Sequence, residues 1–263
     1  MVKDKKRIVF ALLGVCILAT VLGLALYFGK KRTVSSQRAP IRMGVKSVDP
    51  VADSSDFVML SDVDPDIKQE IRYDTTYNFM GKQMEGFDAP VAILTKESAD
   101  ALHKANEKLM RNGYCLKLYN AYCPKGTVDE MYRWSKDENH ILNQKYFYPN
   151  LADKAAIFRD GYLSVNSAFS RGSTVAVTLV NLEDGKEVDM GSLFDYFDPV
   201  SFTNTADISA VQKDNRDYLE MIMKHCGFEH SGKVWWQFTL SDEPYPETYF
   251  EFSVDILTKE VYF

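Results

Sequence analysis

Few side chains in this sequence are of a type and spacing that could do chemistry. The histidines are His103, His140, His225 and His230, and the cysteines are Cys16, Cys115, Cys123 and Cys226. No CxxC pair occurs, which excludes a zinc ribbon and a thioredoxin-like redox motif. His225-Cys226 and Glu229-His230 are close enough in sequence to suggest metal ligands. Cys226, however, falls on an apolar helical face just before Gly227, and His225 suits the negative end of that helix. Cys123 could be a nucleophile, but no histidine lies nearby in sequence and nothing identifiable would lower its pKa. Ser167 and Ser170 lack a G-x-S-x-G elbow and a paired base. Trp235, Trp236, Phe238, Tyr245, Tyr249 and Phe250 could hold a ligand, although such a stripe usually reads as core. Cys115 and Cys226 could pair in an oxidising compartment, and spacing alone leaves that open.

The elements that must position these residues follow from periodicity. Ser98, Leu102, Ala105 and Leu109 recur at helical spacing and Gly113 follows as a stop. Tyr114 to Tyr119 reads as a short buried strand. Thr127 and Glu130 have the spacing of a capping box at the start of a helix that carries Val128, Met131, Tyr132 and Trp134. Thr174 to Val180 is rich in β-branched residues. Asp184-Gly185 suits a hairpin turn, with Lys186 to Met190 returning. Leu219, Ile222, Met223 and Cys226 share a helical face ended by Gly227. Two late strands are expected, at Val234 to Leu240 and Tyr249 to Ile256. In the second, Phe250, Phe252, Val254 and Ile256 alternate with Glu251, Ser253 and Asp255. Helices and hairpins are mixed without βαβ regularity. The expected class is α+β, a single domain with a central antiparallel sheet flanked by helices.

The chain has 263 residues, 46% hydrophobic and 26% charged, an ordinary globular composition. Residues 1–38 hold eight Lys and Arg against Asp4 alone, a net +7, which leaves −13 on the remainder of a chain of net charge −6. An acidic body of this kind argues against nucleic acid as a partner. Ile8 to Gly29 is a run of 22 uncharged residues with basic residues on both sides. At about 1.5 Å per residue it is long enough to span a bilayer core of about 30 Å. A cleaved signal peptide is the competing reading, but its apolar region is usually shorter and no A-x-A site follows here. The expected organisation is a basic flank at 1–7, a transmembrane anchor at 8–29, a linker at 30–52 and a domain at 53–263. The linker contains Ser35, Ser36, Pro40 and Pro50 and has no periodicity.

Three segments together resemble the VanX-type zinc D-alanyl-D-alanine dipeptidases. Ser167-Ala-Phe-Ser-Arg-Gly-Ser-Thr-Val-Ala-Val-Thr-Leu179 is similar to that family's S-x-H-S-R-G-x-A-[IV]-D-[LV]-T-L. Val234-Trp-Trp-Gln-Phe and Asp242-Glu-Pro-Tyr-Pro246 resemble E-W-W-H-[FY] and D-E-P-Y-P. Tyr119-Asn-Ala-Tyr-Cys-Pro-Lys125 resembles [WY]-D-[AG]-Y-R-P. Tyr148-Pro149-Asn150, Met190-Gly191-Ser192, Phe194-Asp195 and Tyr249-Phe250 stand in the expected order, so the likeness covers about residues 57–256.

The resemblance implies zinc held by two histidines and an aspartate, but the corresponding positions are Phe169, Ala176 and Gln237. The family's general base falls on Val234, the arginine of Y-R-P on Cys123, and an aspartate on Asn120. Zinc-assisted hydrolysis needs an activated water, a base and a positive charge facing the oxyanion. The expectation is therefore a pseudoenzyme of the family, without zinc or any other cofactor. Tyr122, Ser167, Ser170, Arg171, Trp235 and Trp236 would form a residual cleft for a D-alanyl cell-wall peptide or a protein partner. An active dipeptidase using a non-standard metal site is the alternative. The same kinship favours a single-pass location in the cell membrane, with the domain extracytoplasmic.

Overall fold

A computed structural model describes residues 49–230 and 232–261. The anchor expected at 8–29 lies outside them. Among the described residues no helix is long and apolar enough to cross a membrane.

The body is built on a five-stranded sheet, with a two-stranded sheet beside it. In the small sheet β1 (Phe57–Met59) pairs antiparallel with β3 (Ile93–Thr95). The large sheet has the order β2-β4-β5-β7-β6, where β2 is Lys68–Gln69, β4 Tyr114–Asn120, β5 Thr174–Asn181, β6 Phe228–His230 and β7 Gln237–Leu240. All its pairs are antiparallel except β2 with β4, which is parallel, so the expected antiparallel sheet is mixed at one edge. Both central strands are almost wholly buried, which explains their run of apolar and β-branched residues without clean alternation. Even the threonines are satisfied inside: Thr174 and Thr239 share a hydrogen bond of 2.8 Å across β5 and β7.

Helix α1 (Lys96–Met110) and helix α3 (Ala210–His225) pack against each other. Helix α2 (Lys125–Ser135) follows β4 after a short extended link. Ser98, Leu102, Ala105 and Leu109 are all buried, as the spacing predicts. Leu219, Ile222 and Met223 are buried on α3, with Gly227 beyond its end at φ 90°. Ser209 starts α3 with a full capping box involving Gln212.

Three local expectations are corrected. The first concerns Thr127 and Glu130, which do not cap α2. That helix begins at Lys125, and Pro124 before it provides no side-chain cap. Thr127 Oγ1 donates to Glu85 O at 2.5 Å, and Glu130 accepts from Glu85 N at 3.1 Å while pairing with Lys82. Both side chains instead tie α2 to the segment before β3.

Second, the segment after Gly185 is not a full strand. It meets β5 only through a Val180–Glu187 bridge and hydrogen bonds from Asn181 N to Lys186 O and Val188 N to Leu179 O. Third, Tyr249 to Ile256 is not a strand: it makes one isolated bridge, Val51 to Phe250, and then turns at Val254 and Asp255 into a 3-10 helix that begins at Ile256. Its alternation holds as far as Val254, since Phe250, Phe252 and Val254 are buried, and breaks at Asp255, which is buried as well. Its amides, however, are used on Ser170 O, Tyr122 OH and Gly86 O rather than on a neighbouring strand.

Candidate functional site

The pairing of β4, β5 and β7 gathers the substituted positions. Asn120 faces Ala176 across β4 and β5, and Ala176 faces Gln237 across β5 and β7. Gln237 N lies 3.5 Å from Val234 O. Phe169 sits in a 3-10 turn, Ala168–Arg171, just before β5, and its carbonyl accepts from Cys123 N at 3.3 Å. Six residues from four segments thus meet at one end of the central strands.

The surroundings are largely apolar and buried, with Gln237 alone of the six partly exposed. Ala176 is 0% exposed, Val234, Cys123 and Asn120 are each 2% exposed, and Phe169 is 8% exposed. Burial pushes the Cys123 thiol well above its ordinary range, with the Glu251 charge adding to the rise. A thiolate nucleophile is therefore strongly disfavoured there. Two buried oxygens, Asn120 Oδ1 and Ser170 Oγ, have no hydrogen-bond partner.

These side chains do not fit zinc. Phe169 and Ala176 carry no donor atom, and Gln237 offers a neutral amide, a poor ligand beside imidazole or carboxylate. Among the described residues no cluster of three His, Cys, Asp or Glu could hold a metal ion. His225 Nδ1 lies 2.8 Å from Met221 O in its own helix. His230 Nε2 lies 3.2 Å from Trp235 O, and burial pushes its pKa down.

The cleft residues divide in the structure. Tyr122 is a core latch: its hydroxyl donates to Phe252 O at 3.1 Å and accepts from Phe252 N at 3.0 Å. Arg171 is clamped by Glu243, with contacts of 2.8 to 3.1 Å to both carboxylate oxygens. Ser167 precedes the 3-10 turn and its carbonyl accepts from Ser170 N. Trp236 is buried edge-on to Phe194. Trp235 lines a cavity of about 400 Å³ together with Tyr119, Thr178, Glu187, Ser192 and Phe194. Thr178 lies two residues along β5 from Ala176, on the same face of the sheet, so the cavity adjoins the substituted centre. Cys115, Cys123 and Cys226 are free thiols.

The charged wall of this cavity carries no motif in the sequence. Tyr119 OH donates to Glu187 at 2.6 Å, and Lys117 bridges Glu187 and Glu70. Arg72 stacks between the rings of Tyr77 and Tyr119, at 4.4 and 5.0 Å. Behind Phe194, Asp195 is buried and accepts from Tyr73 OH. Burial pushes its carboxyl up to about 7 against the opposing effects of Tyr73 and Arg72. The sequence offered only the Phe194-Asp195 pair, seen as a connecting segment.

A family profile described as D-ala-D-ala dipeptidase matches residues 53–255. The D-alanyl-D-alanine dipeptidase of Enterococcus faecium is 36% identical over 198 residues, covering 75% of this chain and 98% of that protein. The Enterococcus faecalis protein of the same name is 37% identical with the same coverage. That of Streptomyces coelicolor is 35% identical over 201 residues, covering 76% of this chain and 99% of its own. These relatives overturn the expectation of a pseudoenzyme. Dipeptidases sharing 35–37% of their residues over three quarters of this chain point to a peptidase. The substituted positions speak to how a metal would be held; they do not themselves demonstrate a loss of activity. From Asp53 to Asp255, this chain belongs to the D-alanyl-D-alanine dipeptidase family.

Proposed function

We propose that this chain is a peptidase directed at the D-alanyl-D-alanine dipeptide, and that it engages the dipeptide in the cavity beside the substituted centre. The observation that carries the reading is kinship over the whole folded body with relatives named for that dipeptide. The cavity of about 400 Å³ supports it, being of a size suited to a small ligand and mixing aromatic walls with hydroxyl and carboxylate groups. What the chain's own residues offer at the cavity wall is the Glu187 carboxylate, held by Tyr119 OH and Lys117.

We further propose that the stretch at 8–29 tethers the domain to the outer face of a membrane. Its 22 uncharged residues between basic flanks support this. Recovery of the chain in the soluble fraction after alkaline carbonate extraction would remove the tether from the reading.

The main test incubates the full chain with D-alanyl-D-alanine, following D-alanine release and, separately, the heat of binding. L-alanyl-L-alanine is the control. Release of D-alanine selective for the D,D-dipeptide is expected. Selective binding without release would remove the peptidase half of the reading, and neither binding nor release would remove both halves.

A further inference from the structure

We infer that in this chain the family's metal centre has become part of the hydrophobic core, so that the domain holds its fold without zinc while the backbone keeps the three ligand positions in place. This goes beyond the ligand reading above and does not depend on it.

The first support is packing. Phe169, Ala176, Val234 and Cys123 all belong to a single core cluster among the described residues, alongside Trp235, Trp236 and Tyr122. A zinc site left without its metal would bury imidazoles and a carboxylate whose desolvation is costly unless they are paired. Here the ligand positions carry a phenyl ring, a methyl and a neutral amide, and the base and arginine positions an isopropyl and a thiol, none of which needs a charge partner. The Cys123 thiol makes weak contacts suited to a neutral group, one 3.8 Å from Pro124 O and one to the Thr127 side chain. The polar atoms that remain without partners, Asn120 Oδ1 and Ser170 Oγ, are neutral. The Gln237 amide packs against the Gly232 turn, its Nε2 3.4 Å from where a Gly232 side chain would begin. Removing the ionisable donors and placing apolar groups at Phe169, Ala176 and Val234 act in the same direction on stability.

The second support is the frame. Ala176 and Gln237 are register partners on two adjacent strands. Phe169 is held by the hydrogen bond from Cys123 N and by the turn that ends at Gly172, whose φ is 80°. Sites carried on such elements keep their geometry better than sites on loops. Replacing side chains there changes the chemistry without moving the chain.

The test has two arms, and neither uses the dipeptide. In the first, the full chain is equilibrated with zinc, desalted, assayed by elemental analysis, and melted with zinc or with a chelator. The expected result is far less than one zinc per chain and the same Tm in both conditions. Stoichiometric zinc, with a Tm that falls on chelation, would overturn the inference. In the second arm Phe169→His, Ala176→Asp and Gln237→His are combined. This variant is expected to bind about one zinc, with a Tm at least ~5 °C higher in excess zinc than in chelator. A folded triple variant that takes up no zinc would overturn the retained frame. If the triple variant folds in neither condition, the first arm still decides whether the natural chain depends on zinc.

Discussion

The phenol of Tyr73 donates a hydrogen bond to the carboxyl of Asp195 at 3.0 Å, with both side chains buried. Asp195 is also the non-glycine residue at positive φ among those described, at 59°. Strained backbone at a buried ionisable group is characteristic of positions that the surrounding structure over-determines. Arg72 pairs with Glu70 and acts on Asp195 only through its charge, so burial prevails.

A pH dependence follows. The folded-state pKa of Asp195 is raised from 3.8 to about 7, so the folded chain binds that proton more tightly than the unfolded chain does. The resulting stability is fully present below about pH 4 and is lost as pH rises through about 7. Asp195→Asn should therefore flatten the stability profile between those limits and stabilise the domain most above pH 7 relative to the parent. Tyr73→Phe removes a bond that favours the carboxylate and should move the midpoint upward. Urea denaturation across that pH range measures both effects. An unchanged slope in Asp195→Asn would remove Asp195 as its source.

Arg171 and Glu243 join two of the sequence motifs, with side chains only 15% and 10% exposed. The guanidinium donates from both Nε and Nη2. Removing one partner leaves a buried charge alone, a change that typically costs about 3–5 kcal/mol. Arg171→Met is expected to lie at the lower end of that range. The double variant Arg171→Met/Glu243→Met should recover much of the loss. Equal destabilisation of single and double variants in a denaturant series would show that packing, rather than the unpaired charge, sets the cost.

Ser209 offers a smaller and more local effect. Its hydroxyl accepts from Gln212 N at 3.2 Å while Gln212 Oε1 accepts from Ser209 N at 2.8 Å. Ser209→Ala should cost about 1 kcal/mol. Hydrogen exchange should show the loss in the first turn of α3, with the β4–β5 pairing unaffected.

Periodicity reached the elements whose burial is one-sided or continuous. The α1 face at Ser98, Leu102, Ala105 and Leu109 and the runs of β4 and β5 are legible because burial alone determines them. It failed at Tyr249 to Ile256, where period-2 alternation records packing on the core and carries no information about a neighbouring strand. It failed again at Thr127 and Glu130, whose distant partners Glu85 and Lys82 compete with the helix end. The meeting of Asn120, Phe169, Ala176, Val234 and Gln237 depends on strand order, which no local pattern contains; only likeness to a known family placed them together. The left-handed backbone of Asp195 gave no sequence signal, since aspartate occurs in every kind of loop.

Gly172 provides the severest single test of the frame around the substituted centre. It ends the 3-10 turn that carries Phe169, Ser170 and Arg171, at φ 80°. A methyl group there would come within 2.4 Å of the Phe57 ring and 3.2 Å of Thr95 Cγ2. The ring has little room to retreat, since it contacts Tyr122, Phe250 and Phe252 at centroid distances of 5.0 to 5.3 Å. Gly172→Ala therefore combines a disfavoured backbone with overpacking and should cost more than about 2 kcal/mol. Adding Phe57→Leu to Gly172→Ala should relieve the clash but not the backbone strain. The double variant is then expected to be more stable than the sum of the two single losses predicts. Strict additivity in a double-mutant cycle would show that the ring is not what makes glycine necessary at this turn.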